Sequence, residues 1–102
     1  MNREWTQQLK QQLRADLPGA LALRRQLHQH PERAFQEYQT SQKIREHLAR
    51  LGIPVLPGVI PTEVTGVIEG SRPGPTLLVR EDIDALVMRE ETGLPFASQA
   101  ED

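Results

Sequence analysis

The sequence contains no cysteine among its 102 residues. This absence excludes disulfide bonds, thiolate metal ligands and a cysteine nucleophile within the chain. Apolar residues are also scarce, at 37% with a mean hydropathy of −0.52, so we expect a modest core. No apolar run approaches the length of a membrane span, and the first residues lack the hydrophobic region of a signal peptide. We therefore expect a soluble, cytoplasmic protein without a membrane partner.

Positive charge is nearly missing from the end of the chain. Residues 81–102 contain one arginine and seven acidic residues, whereas residues 1–80 contain eleven lysines and arginines and seven acidic residues. The acidic end argues against nucleic acid as a partner, and the basic residues elsewhere are too scattered to form a patch. A chain of this length forms at most one small domain, and nothing in it indicates an internal boundary.

The first thirty residues show the periodicity of helices. A four-residue spacing of apolar side chains predicts a short amphipathic helix through Trp5, Leu9, Leu13 and Leu17. Pro18 and Gly19 should interrupt that helix, because proline fits best as the first residue of a following one. A second helix is predicted over residues 20–29 and should end before Pro31.

A third helix is predicted over residues 37–51, after a loop over residues 32–35. Gly52 is well placed to cap its C-terminus, and Pro54 prevents its continuation. Residues 53–56 should then begin a strand.

Two later segments, 64–69 and 76–80, have the composition of strands. The six residues between them are rich in glycine and proline, so an antiparallel hairpin is the simplest connection. The apolar run over residues 76–79 is typical of a strand that is covered on both faces. Because three helices can cover only one face, we expect the isolated chain to self-associate or to be marginally folded.

Three carboxylates, Glu81, Asp82 and Asp84, follow directly on the last of these strands. Carboxylates crowded at a strand end are costly unless a cation meets them there, and open α/β sheets place their chemistry at that edge. On an extended backbone Asp82 and Asp84 face the same way, so one could touch a metal while the other orients a ligand. The alternative is a solvated acidic loop.

The histidines do not complete a metal site. His28 and His30 flank one residue at a helix end, where their side chains point roughly 200° apart, so a capping or dipole-compensating role is the simpler interpretation. His47 lies in the middle of a helix among polar residues. Because a divalent catalytic site needs three or more protein ligands, the residues alone predict half of a site.

Five blocks of sequence, in this order, resemble a known family. They are Arg24 to Glu32 with Phe35 to Glu37, Thr65 to Val67, Pro73 to Thr76, Arg80 to Leu86, and Glu90 to Ser98. Together they resemble the N-terminal signature of the aminoacylase and carboxypeptidase-like metal-dependent amidohydrolases. That family includes hippurate hydrolases, N-acyl-amino-acid amidohydrolases and plant auxin-conjugate hydrolases. The resemblance covers residues 17–99.

The resemblance implies an α/β fold in which helices pack on a small mixed sheet with a β-hairpin. Residues 1–102 would then be a partial N-terminal segment of a larger α/β/α catalytic domain. The family hydrolyses the amide bond of N-acyl amino acids with two divalent metals, Zn or Mn. Its ligands lie in a His-x-Cys-Gly-His block and in later glutamate and histidine residues, which this chain lacks, as it also lacks the general base.

By resemblance, Asp84 takes the position of the aspartate that hydrogen-bonds and orients a metal-ligating histidine. Asp82 takes a position that is a metal-binding histidine in more distant relatives, so it is a weak candidate for a metal ligand. No bound cofactor is expected for this chain alone.

Four positions depart from the family pattern. Arg33 replaces a usual leucine, Glu63 a small residue, Glu81 an alanine and Val87 a proline. Together these departures favour relaxed constraint, as in a truncated or decaying copy. The sequence therefore predicts an N-terminal fragment of an amidohydrolase that is inactive alone. The alternative is a non-enzymatic small module that binds a partner or serves a structural role on the same scaffold.

Overall fold

The computed structural model describes residues 3–100. The predicted segment is bounded by residues 1 and 102, which lie outside the described residues. The predicted absence of a signal peptide rests in part on residues 1 and 2, which also lie outside them. The chain divides into two compact units. Unit 1 contains Met1–His30 and Arg89–Asp102, and unit 2 contains Pro31–Met88. The assignment of the whole chain to one segment of a larger catalytic domain stays a prediction.

Unit 1 is built on helix α1, Arg3–Gln29, which is continuous through Pro18. The prediction of two helices separated at Pro18 and Gly19 is therefore wrong. Proline removes one intrahelical hydrogen bond, yet its fixed φ angle is compatible with a helix. Leu17 before Pro18, and Ala20 and Leu21 after Gly19, are strong helix formers, and the four-residue apolar spacing continues from Leu17 to Leu21, so the helix runs on.

The apolar stripe of α1 is open to solvent in this chain. Its members are between 44% and 59% exposed, and they are Trp5, Leu9, Leu13, Leu17 and Leu21. The amphipathic pattern thus predicts the helix correctly, although no layer of the described chain buries the stripe.

The C-terminal end of α1 is held by the last described residues of unit 1. The Gln99 amide donates a hydrogen bond of 2.8 Å to the Gln29 carbonyl. The Gln29 side-chain amide in turn donates to the Pro95 carbonyl at 3.4 Å. These bonds satisfy backbone groups that the end of a helix leaves without intrahelical partners.

Unit 2 begins with helix α2, Tyr38–Arg50, which confirms the predicted third helix to within one residue at each end. Its C-terminus is a Schellman motif, as the placement of Gly52 predicts. Gly52 has a φ angle of 72°, its amide donates to the Ala49 carbonyl, and the Ile53 amide donates to the Leu48 carbonyl. Glycine adopts this left-handed conformation without the steric cost that a Cβ atom would add.

After α2, the chain makes one isolated antiparallel bridge within the described residues, between Val55 and Gly66. Two backbone hydrogen bonds form this bridge. The Leu56 amide donates to the Thr65 carbonyl, and the Val67 amide donates to the Pro54 carbonyl. The expected strand over residues 53–56 therefore finds a partner, but the pair does not extend into a sheet.

The predicted hairpin between residues 64–69 and 76–80 is absent from residues 3–100, as is a mixed sheet. Leu77, Leu78 and Val79 are 88%, 81% and 71% exposed. The six-residue connection holds two prolines and matches no two-residue hairpin turn, so it does not enforce pairing. An extended segment becomes a strand only where a neighbour accepts and donates its backbone hydrogen bonds.

The buried side chains of residues 3–100 are all polar: Glu37, Thr40, Ser41 and Thr62. Hydrogen bonds connect α2 to the loop between the two residues of the isolated bridge, Val55 and Gly66. The Ser41 hydroxyl donates to the Thr62 carbonyl, and Arg45 Nη2 donates to the Glu63 carbonyl at 2.5 Å. Polar contacts therefore order unit 2 where an apolar core would otherwise do so.

Across residues 3–100, neither helix is both long enough and apolar enough to cross a membrane.

Candidate functional site

The acidic segment after residue 80 lies on the surface of unit 2. Arg80 Nη2 is 2.9 Å from Asp82 Oδ1, and these two side chains are 81% and 69% exposed. Asp84 is exposed as well. An exposed ion pair of this kind contributes little to stability, so the geometry leaves both aspartates available to other groups.

A backbone hydrogen bond anchors this segment next to Asp84. The Ala85 amide donates to the Glu32 carbonyl at 2.8 Å. The bond joins two of the sequence blocks that carry the family resemblance, although they are more than fifty residues apart.

A groove of about 680 Å³ lies beside the acidic segment in unit 2. Its walls are partly apolar, with contributions from Phe35, Ile44, Leu48 and Ile60. Its carboxylates come from three parts of the chain: Glu37, Glu63, Glu81, Asp82 and Asp84.

The carboxylates of this groove do not assemble into a metal site. Within residues 3–100 no group of three or more histidine, aspartate, glutamate or cysteine side chains is placed to hold an ion. Asp82, the weak candidate ligand, forms an ion pair with Arg80. Because divalent metals need at least three protein ligands in a catalytic site, the described residues do not fit a metal by themselves.

Glu32 holds the N-terminus of α2 from the preceding loop. Its Oε2 accepts from the Gln39 amide at 3.1 Å, and its Oε1 accepts from the Thr40 amide at 2.5 Å and the Thr40 hydroxyl at 2.6 Å. The N-cap residue, Glu37, makes no side-chain capping bond. Glu32 therefore performs the capping role, and its negative charge suits the positive end of the helix dipole.

The environment of Glu32 favours its ionised form. Burial raises the pKa of this carboxyl, but hydrogen bonds from Thr40 and Gln39 and the charge of Lys43 outweigh that effect and lower the pKa below its ordinary value.

His28 takes part in a second cluster, in unit 1. His28 Nε2 lies 2.5 Å from Glu90 Oε1, which also accepts a hydrogen bond from the Ser98 amide at 3.1 Å. The Thr92 hydroxyl donates to the other oxygen of Glu90. Hydrogen bonds from Thr92 and Ser98, with a smaller contribution from His28, lower the pKa of Glu90 against the opposing effect of burial.

Aromatic contacts complete this cluster. The ring of Phe96 meets the His28 ring edge to face at 5.9 Å, and the Arg25 guanidinium lies 4.5 Å from the centre of the same ring. The cluster thus fastens the last turns of α1 to residues 90–98 through charge, hydrogen bonds and a cation–π contact. His28 pairs with Glu90 here, while His30 is exposed.

No family model matches the chain. Individual relatives do. The chain is 42% identical to thermostable carboxypeptidase 1 of Saccharolobus solfataricus, over 91% of this chain and 24% of that protein. It is 46% identical to N-acetylcysteine deacetylase of Bacillus subtilis, over 78% and 21%. It is 36% identical to N-acyl-L-amino acid amidohydrolase of Geobacillus stearothermophilus, over 97% and 26%.

A solved structure agrees with these sequences. The chain superposes on the Bacillus subtilis YXEP protein with a TM-score of 0.81 and 42% identity, over 85% of this chain and 24% of that one. That protein is described as a dinuclear metal-binding peptidase of the M20 family. By homology, the chain belongs to the N-acyl-amino-acid amidohydrolase family. It spans about a quarter of the length of the relatives it matches.

The departures of this amidohydrolase-family chain from the expected pattern have a structural setting. Arg33 and Glu81 lie on the surface, so their charges remain in water and cost little desolvation. Val87 is 63% exposed. Glu63 is half-buried and uses its backbone carbonyl to accept from Arg45.

Sequence reasoning missed two roles in this amidohydrolase-family chain. The sequence predicts only a connecting loop at Glu32, whose carboxylate caps α2 from five residues before the N-cap. The sequence marks Glu90 only as part of a block of resemblance, because its partner His28 is 62 residues away. The negative charge that precedes α2 was the one local signal for the first role. No local signal existed for the second.

Proposed function

We propose that this chain is the N-terminal part of the catalytic domain of a metal-dependent amidohydrolase. The complete enzyme would hydrolyse the amide bond of N-acyl amino acids, and its substrate would be a small molecule. The supporting observation is the 46% identity to an N-acetylcysteine deacetylase together with the 36% identity to an N-acyl-L-amino acid amidohydrolase. A cytoplasmic location is part of this proposal.

The chain alone is inactive in this proposal. A divalent metal, Zn or Mn by resemblance, would supply Lewis-acid chemistry in the complete enzyme. The described residues do not hold such a metal, since no three-ligand group occurs within residues 3–100. The ligands and the general base would come from the remaining three quarters of a relative-sized protein.

Asp84 would accept a hydrogen bond from the imidazole of a ligating histidine and fix the orientation of that ring. Its exposed carboxylate, at the end of an extended segment, is accessible to such a group. Carboxylates in this role set the tautomer and raise the basicity of the ligand. Asp82 would be a charged neighbour, with Arg80 as its partner.

The open apolar segment over residues 76–80 would become a strand of a mixed sheet in the complete domain. Leu77, Leu78 and Val79 are largely exposed here, as expected for a strand whose neighbours belong to the rest of the protein. The hairpin with residues 64–69 would form under the same conditions.

The competing function is a self-sufficient module that binds a partner or has a structural role. A stable small domain of this kind needs an apolar core. The buried residues within 3–100 are all polar, which favours the fragment.

A chimera tests the proposal most directly. This chain would replace the matched segment of the Geobacillus stearothermophilus amidohydrolase, and hydrolysis of an N-acetyl amino acid would be measured with added Mn²⁺ or Zn²⁺. We expect activity in the chimera and none in the isolated chain. Hydrolysis by the isolated chain, or a folded and metal-loaded chimera without activity, would overturn the proposal.

Two matched variants of the chimera test the role of Asp84. Asp84→Asn should lower activity or metal affinity roughly 10- to 100-fold, as is usual for partners of metal-ligating histidines. Asp82→Asn removes the same charge two residues away and should change either quantity by less than about threefold, because its ion pair is exposed. Equal losses in both variants would contradict the assignment.

A further inference from the structure

Glu32 is unusual because its side chain and its backbone bind two different parts of unit 2. The carboxylate accepts three hydrogen bonds from Gln39 and Thr40 at the start of α2. The carbonyl of the same residue accepts the Ala85 amide at 2.8 Å. One residue therefore connects the first turn of a helix to the segment that carries Asp84.

The link to Ala85 has no substitute nearby. Among residues 68–93, the bond from Ala85 to Glu32 is the one backbone–backbone hydrogen bond that the described structure contains. The side-chain pair of Arg80 and Asp82 is exposed and internal to the segment, so it does not tie the segment to α2. This hydrogen bond therefore ties the position of Asp84 to that of the Glu32 carbonyl.

The carbonyl of Glu32 is in turn fixed by its own carboxylate. Thr40, which donates two of the three bonds, is 4% exposed, so its hydroxyl would lose a partner in a buried place if the carboxylate left. The turn after Glu32 also holds this loop, because the Gln36 amide donates a hydrogen bond of 2.9 Å to the Arg33 carbonyl.

We propose that Glu32 is a positioning residue, which fixes Asp84 by clamping the Ala85 amide to the N-terminus of α2. The inference rests on the proposed function only for the role of Asp84 in the complete enzyme. The clamp, from the start of α2 through Glu32 to Ala85, is a property of this chain. If Glu32 only capped α2, its replacement would leave the 81–85 segment unchanged.

Amide hydrogen exchange by NMR, measured on this chain folded within the amidohydrolase chimera, separates these two roles. Glu32→Gln should accelerate exchange at least fivefold at Gln39 and Thr40 and by a comparable factor at Ala85. The side-chain carboxyl ¹³C shift of Asp84 should also move, whereas capping alone would not affect it. The Leu56 amide, which bonds to the Thr65 carbonyl, should be unchanged. Glu69→Gln, which neutralises an exposed glutamate elsewhere, is the matched control.

The reverse experiment does not depend on the stability of the Glu32 variant. Coupling between two sites is reciprocal, so loosening the 81–85 segment must loosen the start of α2. Ala85→Pro removes the donor N–H and should accelerate exchange at Gln39 and Thr40 at least twofold, while Ala85→Ser keeps the donor and should not.

The clamp is overturned if Ala85 exchanges at the rate of an unstructured amide in the chimera without these substitutions. It is also overturned if Glu32→Gln affects only Gln39 and Thr40, or if Ala85→Pro leaves both of these amides unchanged. None of these measurements needs catalysis, so failure of the clamp is distinguishable from failure of the proposed amidohydrolase function.

Discussion

Phe35 has a φ angle of 64° in the loop before α2, a region that residues with a Cβ atom rarely occupy. It lies in the turn closed by the Gln36 amide on the Arg33 carbonyl, and its side chain is 71% exposed. The turn therefore carries backbone strain without burying the aromatic ring. The Glu32 carboxylate and this turn hold the same loop, so the strain is offset by contacts on α2.

Replacing Phe35 with glycine should stabilise unit 2. Glycine removes the cost of the left-handed conformation, and we expect a gain of about 0.5 to 1 kcal/mol after its larger unfolded-state entropy is counted. Urea unfolding would measure the change. Phe35→Ala keeps the Cβ atom and should bring no gain; equal effects of the two variants would show that the ring, not the backbone, is responsible.

The stability of unit 1 should depend on pH through the carboxyl group of Glu90. Its pKa is lowered in the folded chain, so the ionised carboxylate contributes stability above its unfolded pKa. That contribution is lost as the pH falls through the lowered folded value. Wild type should therefore exceed Glu90→Gln in urea midpoint at neutral pH, and the difference should vanish in acid, below the ordinary range of a glutamate. A difference that persisted at the lowest pH would contradict the hydrogen bonds from Thr92 and Ser98 as its cause.

At the scale of elements, the two helices end for different reasons. α2 stops locally, at a Schellman motif around Gly52. α1 ends before Pro31, and a residue far along the chain holds its end, because the Gln99 amide donates a hydrogen bond to the Gln29 carbonyl. Between its ends α1 tolerates Pro18 and the adjacent Gly19, because a helix of 27 residues can lose one hydrogen bond and continue.

Pro18→Ala should stabilise α1. The substitution restores a backbone donor in the helix interior, where proline costs roughly 3 kcal/mol relative to alanine. We expect higher helical ellipticity and a higher urea midpoint. Gly19→Ala is the matched control, because a Cβ at residue 19 has no heavy atom within 4 Å, and its gain should be about 1 kcal/mol. A loss of ellipticity in Pro18→Ala would show that the proline is placed to shape the helix.

At the scale of the whole chain, large apolar side chains remain exposed. They include the stripe of α1 and the run over residues 77–79, with Leu86, Val87 and Met88 beyond it. The buried side chains in residues 3–100 are polar, so hydrophobic burial contributes little to folding. Exposed apolar segments with free backbone groups are association sites.

We expect the isolated chain to self-associate or to unfold with little cooperativity. Sedimentation velocity across a dilution series and urea unfolding would measure both properties. Leu78→Lys should weaken association, whereas Val59→Lys, at a position 94% exposed, is a control for added charge. A dilute monomer with a sharp transition and a stability above roughly 5 kcal/mol, the lower end for ordinary domains, would identify a self-sufficient domain.

The sequence by itself determined features that depend on neighbours within a few residues. The extent of α2, its end at Gly52 and the amphipathic stripe from Trp5 to Leu21 follow from local periodicity and capping. The order of the resembling blocks was enough to indicate the family. These features need no distant partner, and for that reason the pattern predicted them.

Tertiary structure alone decided which distant groups meet. Val55 pairs with Gly66, and the residues 64–69 and 76–80 do not pair, because a strand-like composition does not specify its neighbour. The contact of His28 with Glu90 and the hydrogen bond from the Ala85 amide to the Glu32 carbonyl join residues more than fifty positions apart. Such contacts form where the folded backbone brings a donor to an acceptor, and nothing in the spacing of residues along the chain encodes that meeting.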